Sequence, residues 1–76
     1  MAVKLTNLNA GEKARVLKIN GRVGIKRRLQ AMGIFPGIDI KIIQSISNGP
    51  VIIESGNTRI AIGWDMAEKV EVNKNE

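Results

Sequence analysis

The chain has 76 residues, a formal net charge of +5 at pH 7, and neither cysteine nor histidine. This length fits one domain, and the two missing residue types exclude disulfides, thiolate sites and imidazole as a metal ligand or general base. The apolar runs are far shorter than the roughly 18–20 residues of a membrane span, and the N-terminus has no signal-peptide hydrophobic region. We therefore expect one soluble, cytoplasmic domain over residues 1–76.

The apolar residues favour β-structure. Of 22 Ile, Val and Leu residues, 18 are Ile or Val, whose β-branched side chains pack well on a pleated surface. The charge is placed unevenly, since residues 13–38 contain seven bases and no acid, whereas residues 65–76 contain four acids and two bases. This asymmetry indicates either a positive surface that meets an acidic partner or an unevenly spaced solubilising surface.

The N-terminal third predicts one strand. Leu5 and Leu8 form an apolar segment, and a turn at residues 9–12 leads into a strand over residues 13–20. The strand alternates only in part, because Val16 and Leu17 are adjacent apolar residues. Either both faces are partly buried or a bulge shifts the register near Leu17 and Lys18.

A short helix follows. Ile25, Leu29 and Met32 are spaced to share one helix face, which would close one end of the sheet, while Lys26 and Arg27 point the opposite way.

The sequence also predicts how this helix ends. Gly33 fits the left-handed position of a Schellman cap, with Ile34 against Leu29, and Pro36–Gly37 fits the centre of a type II turn.

The remainder predicts strands over residues 38–46, 51–55, 58–62 and 70–72, joined by tight turns. Asp65 and Glu68 have the spacing of a capping box for one helical turn. The core would span about residues 5–72, and residues 73–76 would be frayed. We predict an all-β fold, a small barrel of about five strands with one inserted short α-helix, closed so that no edge is exposed.

Several motifs resemble the FeoA family of small cytoplasmic proteins associated with ferrous iron uptake. They are GEKARV at residues 11–16, RRLQAMGIFPG at 27–37, NGPVII at 48–53, and RIAI at 59–62 with Ala67 and VEV at 70–72. The resemblance implies an SH3-like barrel and partnership with FeoB, the membrane ferrous iron transporter with a cytoplasmic GTPase domain. A related domain ends the iron-dependent repressors of the diphtheria-toxin-repressor type. No DNA-binding helices precede the motifs here, which favours a free-standing protein.

The candidate protein-binding residues combine a basic helix with apolar neighbours: Lys26, Arg27, Arg28, Met32 and Phe35. An apolar patch rimmed by arginine is typical of protein interfaces. Alternatively, Met32 and Phe35 simply close the barrel and the bases are solvated. Trp64 departs from the family, which more often has charged or polar residues there, and we expect it to be partly buried.

The function predicted is a non-enzymatic accessory module, a monomer that docks on a FeoB-like transporter and modulates it. No catalytic motif or phosphate loop is present, and we expect no cofactor and no specific metal site. One alternative is a small basic barrel that binds nucleic acid, although Phe35 and Trp64 are its only aromatic residues. Another is an iron-responsive regulatory module with weak transition-metal binding.

Overall fold

Six antiparallel strands form one sheet in the computed structural model, which describes residues 2–75. The elements in chain order are β1 (Ala2–Lys4), a 3₁₀ turn (Leu5–Asn7), β2 (Lys13–Ile19), α1 (Val23–Ala31), β3 (Asp39–Ser45), β4 (Val51–Ser55), β5 (Thr58–Ile62), α2 (Trp64–Ala67) and β6 (Val70–Asn75). The strand order is β1-β6-β2-β3-β4-β5, with every neighbouring pair antiparallel. The predicted all-β class with a short inserted helix is confirmed, with six strands in place of about five.

One apolar cluster fills the inside of this curved sheet. The strands β2 to β6 place alternate side chains in it, and α1 and its following turn contribute Leu29 and Ile34, both fully buried. Ile25 and Met32 are half-buried and pack against the cluster. The predicted apolar face of the helix therefore does cover the core. In the strand order, β1 and β5 stand at the two ends of the sheet, and no strand pairing joins them within residues 2–75. The prediction that the sheet closes without an exposed edge is therefore wrong for the described residues.

Of the two alternatives left open for β2, the structure has the bulge. Val16 is opposite Val72 and Lys18 is opposite Glu71, so Leu17 is the extra residue on its strand. The bulge restores the alternation that the sequence breaks, because it turns Lys18 outward and leaves Ile19 buried. Without the extra residue, the lysine would point into the core.

The prediction of a frayed tail is wrong for residues 73–75. These residues continue β6, where Asn73 is opposite both Ala2 of β1 and Arg15 of β2, and Lys74 is opposite Ala14. Asn73 thus pairs on both flanks, and residues 74 and 75 pair with β2. The strands likewise begin before residue 5, with β1. Glu76 lies outside the described residues.

The helix α1 ends in the predicted Schellman cap. Gly33 has a φ of +89°. Its N–H donates to the Gln30 carbonyl at 2.9 Å, and the Ile34 N–H donates to the Leu29 carbonyl at 2.8 Å. The type II turn follows as predicted, with Gly37 at a φ of +99°. The glycine cap and the turn that follows it thus reverse the direction of the chain immediately after the helix.

The predicted capping box at α2 is wrong. The helix begins at Trp64 with Gly63 as its N-cap, and no side chain caps it. Asp65 therefore lies inside the first turn, two positions after the N-cap. The Gly63 backbone is extended, with φ −61° and ψ 149°, and this sets the start of the helix before the acid is reached.

Candidate interaction surface

The outer face of α1 carries exposed side chains of two kinds. Val23 is 63% exposed and shares this face with Lys26, Arg27 and Gln30, which are also exposed. Arg28 lies in the last turn, where a positive charge complements the helix dipole. The helix contains no acidic residue, so its surface is uniformly cationic.

The ion pairs of the protein lie elsewhere, on the strands. They join Arg15 to Asp39 at 2.9 Å, Lys18 to Glu71 at 3.7 Å, Arg59 to Glu54 at 3.4 Å, and Lys74 to Glu12. Within residues 2–75, none of the four cations of residues 22–28 has an ion-pair partner. Of the eight Lys and Arg residues without an ion pair among these residues, four therefore lie on and beside α1.

These contacts lower the pKa values of two carboxylates, those of Glu12 and Asp39. The Lys74 ammonium donates to Glu12, and the Asn9 backbone N–H donates to the same carboxylate at 2.6 Å. Together they hold the pKa of Glu12 below its ordinary value. The Arg15 guanidinium donates to both Asp39 oxygens, at 2.9 and 3.4 Å, and lowers the pKa of that carboxyl. Both acids are committed to strand contacts and leave the α1 cations uncompensated.

A groove of about 320 Å³ separates α1 from the end of β2. We call it the β2–α1 groove, and it is lined by Lys18, Ile19, Lys26, Gln30, Ile34, Phe35 and Pro36. Phe35 is 45% exposed. The turn on each side of it is fixed by hydrogen bonds, including one from the Gly37 N–H to the Val16 carbonyl at 2.8 Å. The groove thus has an apolar wall that is held in place before any partner arrives.

The five predicted site residues separate in the structure. Lys26 and Phe35 meet at the β2–α1 groove. Arg27 and Arg28 are exposed on α1 but do not line the groove, and Met32 is half-buried against the core. Met32 therefore follows the packing alternative, whereas Phe35 is a surface residue.

Trp64 is half-buried and packs against the core, as predicted. It also lines a second groove, of about 550 Å³, between β1 and α2. Glu68 and Glu71 line the same groove, together with Lys4. The groove therefore carries charges of both signs. One of its acids, Glu71, already contacts Lys18 and Asn20. Among residues 2–75, no group of three acidic side chains is arranged to hold a metal ion.

Comparison with known proteins decides the family. A family model described as the FeoA domain matches residues 3–74. The chain belongs to the FeoA family. It is 42% identical over 66 residues to a Methanocaldococcus jannaschii protein that carries the name Fe(2+) transport protein A. The match covers 87% of this chain and 79% of that protein. FeoA-family proteins are associated with Fe(2+) transport, so the predicted family and its link to iron transport are confirmed.

Solved structures agree with this placement. The chain superposes on a crystal structure of an iron uptake regulatory protein (FeoA) with a TM-score of 0.93 and 37% identity, covering 99% of this chain and 100% of that one. It also matches IdeR of T. acidophilum, with a TM-score of 0.86 and 29% identity, over 97% of this chain and 34% of that one. The SH3-like barrel expected from the resemblance is therefore confirmed.

Sequence reasoning missed part of the groove of this FeoA-family chain. Lys18, Ile19, Gln30 and Pro36 were not among the candidate residues, although all of them line the groove. The suspected bulge near Leu17 was the available signal for Lys18, because an inserted residue changes which side chains face outward.

No described helix has the length and apolar character to traverse a lipid bilayer.

Proposed function

We propose that this FeoA-family chain is a non-enzymatic accessory module of ferrous iron transport. It docks in the cytoplasm on a FeoB-like membrane transporter and modulates that transporter. The family membership supports the iron-transport context. The docking itself rests on one observation: the four cations of residues 22–28 have no ion-pair partner within residues 2–75, and one of them, Lys26, lines a groove together with the exposed Phe35.

These cations are suited to an acidic partner surface. Exposed charges at the rim of an interface accelerate association and align the partners more than they add affinity. A centrally placed aromatic side chain supplies the apolar contact on which affinity depends.

The test is binding of the purified chain to the soluble GTPase portion of the transporter, by calorimetry at low and at physiological salt. We expect Arg27→Glu to weaken binding about three- to tenfold at low salt, and less at higher salt, because the charge is exposed. The charge-matched control is Lys13→Glu, at the opposite end of β2 from α1. It should leave binding nearly unchanged.

Modulation is measured as the rate of GTP hydrolysis by that portion with and without the chain. A change that Arg27→Glu abolishes and Lys13→Glu preserves would support the proposal. Absence of any association at high micromolar concentration in low salt would contradict it. Equal weakening by the two variants would show net charge attraction in place of a defined docking surface.

A further inference from the structure

The β2–α1 groove combines an apolar interior with positive rims. Ile19 and Ile34 are buried beneath it, 8% and 0% exposed, and Phe35 and Pro36 form an exposed wall. Lys18 and Lys26 stand on the β2 and α1 sides, and no acidic residue lines the groove. A side chain that enters it would meet hydrocarbon below and ammonium groups on both sides.

Both lysines are available to a partner. Lys26 has no ion pair within the described chain, and Lys18 has only a long one, 3.7 Å to Glu71, with 63% of the lysine side chain exposed. Such exposed pairs contribute little to stability and exchange readily for another carboxylate. The β2 bulge is the reason that Lys18 reaches this rim at all.

The shape of the groove limits what it can hold. Its volume of about 320 Å³ is at the small end for ligand sites, near the 300 Å³ limit, and fits one bulky apolar side chain with its flanking backbone. A polyproline ligand needs a row of aromatic side chains, and a single-stranded nucleic acid needs stacking platforms. The groove has one aromatic residue, Phe35.

We infer that the β2–α1 groove binds an acidic segment of a partner protein in which one bulky apolar side chain is flanked by carboxylates. The apolar side chain packs on Phe35 and Pro36, and the carboxylates pair with Lys18 and Lys26. Because the Schellman cap and the following turn already hold Phe35 in place, little entropy is lost on binding. The inference rests on the proposed function, since the segment is the element by which the transporter would be recognised.

The experiment titrates the full ¹⁵N-labelled chain with a nine-residue probe peptide, a central leucine with four aspartates or glutamates on each side, by NMR. We expect saturable shifts below about 1 mM peptide, centred on Lys18, Lys26 and Phe35. Replacing the peptide leucine by serine, or its acids by glutamine, should weaken binding at least fivefold.

Variants of the chain locate the contact. Lys18→Glu combined with Lys26→Glu should weaken peptide binding about tenfold or more, and Phe35→Ala to a similar extent. The matched controls are Lys13→Glu combined with Lys41→Glu, which reverses as many charges outside the groove, and Ile46→Ala, which truncates another exposed apolar residue, 50% exposed, in the β3–β4 turn. Both controls should bind as the unmodified chain does. Dispersed spectra of each variant establish that it is folded.

Three results would overturn the inference: shifts centred outside the groove, equal binding of the leucine and serine peptides, or tighter binding of a ten-residue oligothymidylate or polyproline at the same residues. If the transporter portion binds but the peptide does not, the groove assignment fails and the proposed function stands. If the peptide binds in the groove and the transporter portion does not bind, the proposed function fails alone.

Discussion

Gly33 decides, at the scale of one residue, where α1 stops. Its φ of +89° lies in the left-handed region that side chains with a Cβ resist. A Cβ added there would have no heavy atom within 4 Å. Any penalty for substitution is therefore one of backbone conformation and not of crowding. Gly24, in the same helix, has equally open surroundings and no positive φ.

We expect the two glycines to respond in opposite directions. Gly33→Val should lower the free energy of unfolding by about 1–3 kcal/mol, because valine is forced into a positive φ. Gly24→Ala should raise the free energy of unfolding by up to about 1 kcal/mol, since alanine has the higher helix propensity. Urea unfolding followed by circular dichroism measures both. Shifts of the same sign in the two variants would refute the conformational explanation.

At the scale of elements, one row of side chains crosses four strands on the outside of the sheet. Lys13 of β2 is opposite Lys41 of β3, Lys41 is opposite Glu54 of β4, and Glu54 is opposite Arg59 of β5. The charges run plus, plus, minus, plus. Only the first neighbouring pair is repulsive, and like charges directly opposite one another destabilise a sheet.

Lys13→Glu would make this row alternate in sign throughout. We expect it to raise the free energy of unfolding by about 0.5 kcal/mol, a gain of about 2–4 °C in melting temperature for a domain of this size. Lys13→Gln, which removes the repulsion without adding an attraction, should fall between the two. The melting temperature at low salt measures the effect, and 1 M salt should suppress it. A lower melting temperature for Lys13→Glu would show that the row does not govern stability.

At the scale of the whole molecule, the ion pairs are divided unevenly between the sheet and the helix. Arg15, Lys18, Arg59 and Lys74 each have a carboxylate partner, whereas the sheet cations Lys13 and Lys41 have none within residues 2–75. The cations on and beside α1 have none within these residues either. We therefore expect charge reversal on α1 to leave the fold intact.

This division gives stability a definite pH dependence. The pKa values of Glu12 and Asp39 are lower in the folded protein than their ordinary values of 4.5 and 3.8, so the unfolded chain binds more protons in that range. Their contribution is complete above the ordinary values and is lost as the pH falls through the depressed ones.

We expect the melting temperature to fall below about pH 4.5 and to fall less steeply in the Glu12→Gln, Asp39→Asn double variant. Calorimetric scans between pH 2 and 7 measure it, with Asp65→Asn as the control, since Asp65 is exposed on α2 and has no ion pair within the described residues. Equal slopes for the double variant and the unmodified chain would show that these two contacts do not set the acid limit.

Much of the fold was predictable because its signals are local. The spacing of Ile25, Leu29 and Met32 marked the helix, and Gly33 and Pro36–Gly37 marked its end and the turn. Each depends on residues within about one helical turn or one β-turn. The capping-box error at α2 shows the limit, because Asp65 has suitable chemistry but the helix begins at Trp64, two residues earlier than an Asp65 cap would place it.

Features that depend on distant pairing were not predictable in the same way. The three residues of β1 have no distinctive pattern, and residues 73–75 are polar, yet both are strands because β6 pairs on both flanks. The groove likewise brings Lys18 of β2 beside Phe35, which lies beyond α1. Two features of the groove, the basic helix and the exposed aromatic residue, could be inferred from adjacent residues. The contribution of β2 could not.

The sequence by itself determined the β-rich class, the capped helix and the turns, because dihedral preferences and side-chain periodicity act over a few residues. Its motifs also carried the resemblance to the family. The tertiary structure alone decided which strands flank β6, which cations keep a carboxylate partner, and which side chains form the β2–α1 groove. The physical reason is that hydrogen-bond pairing and charge compensation depend on spatial neighbours, and those neighbours exist only once the chain has folded around its core.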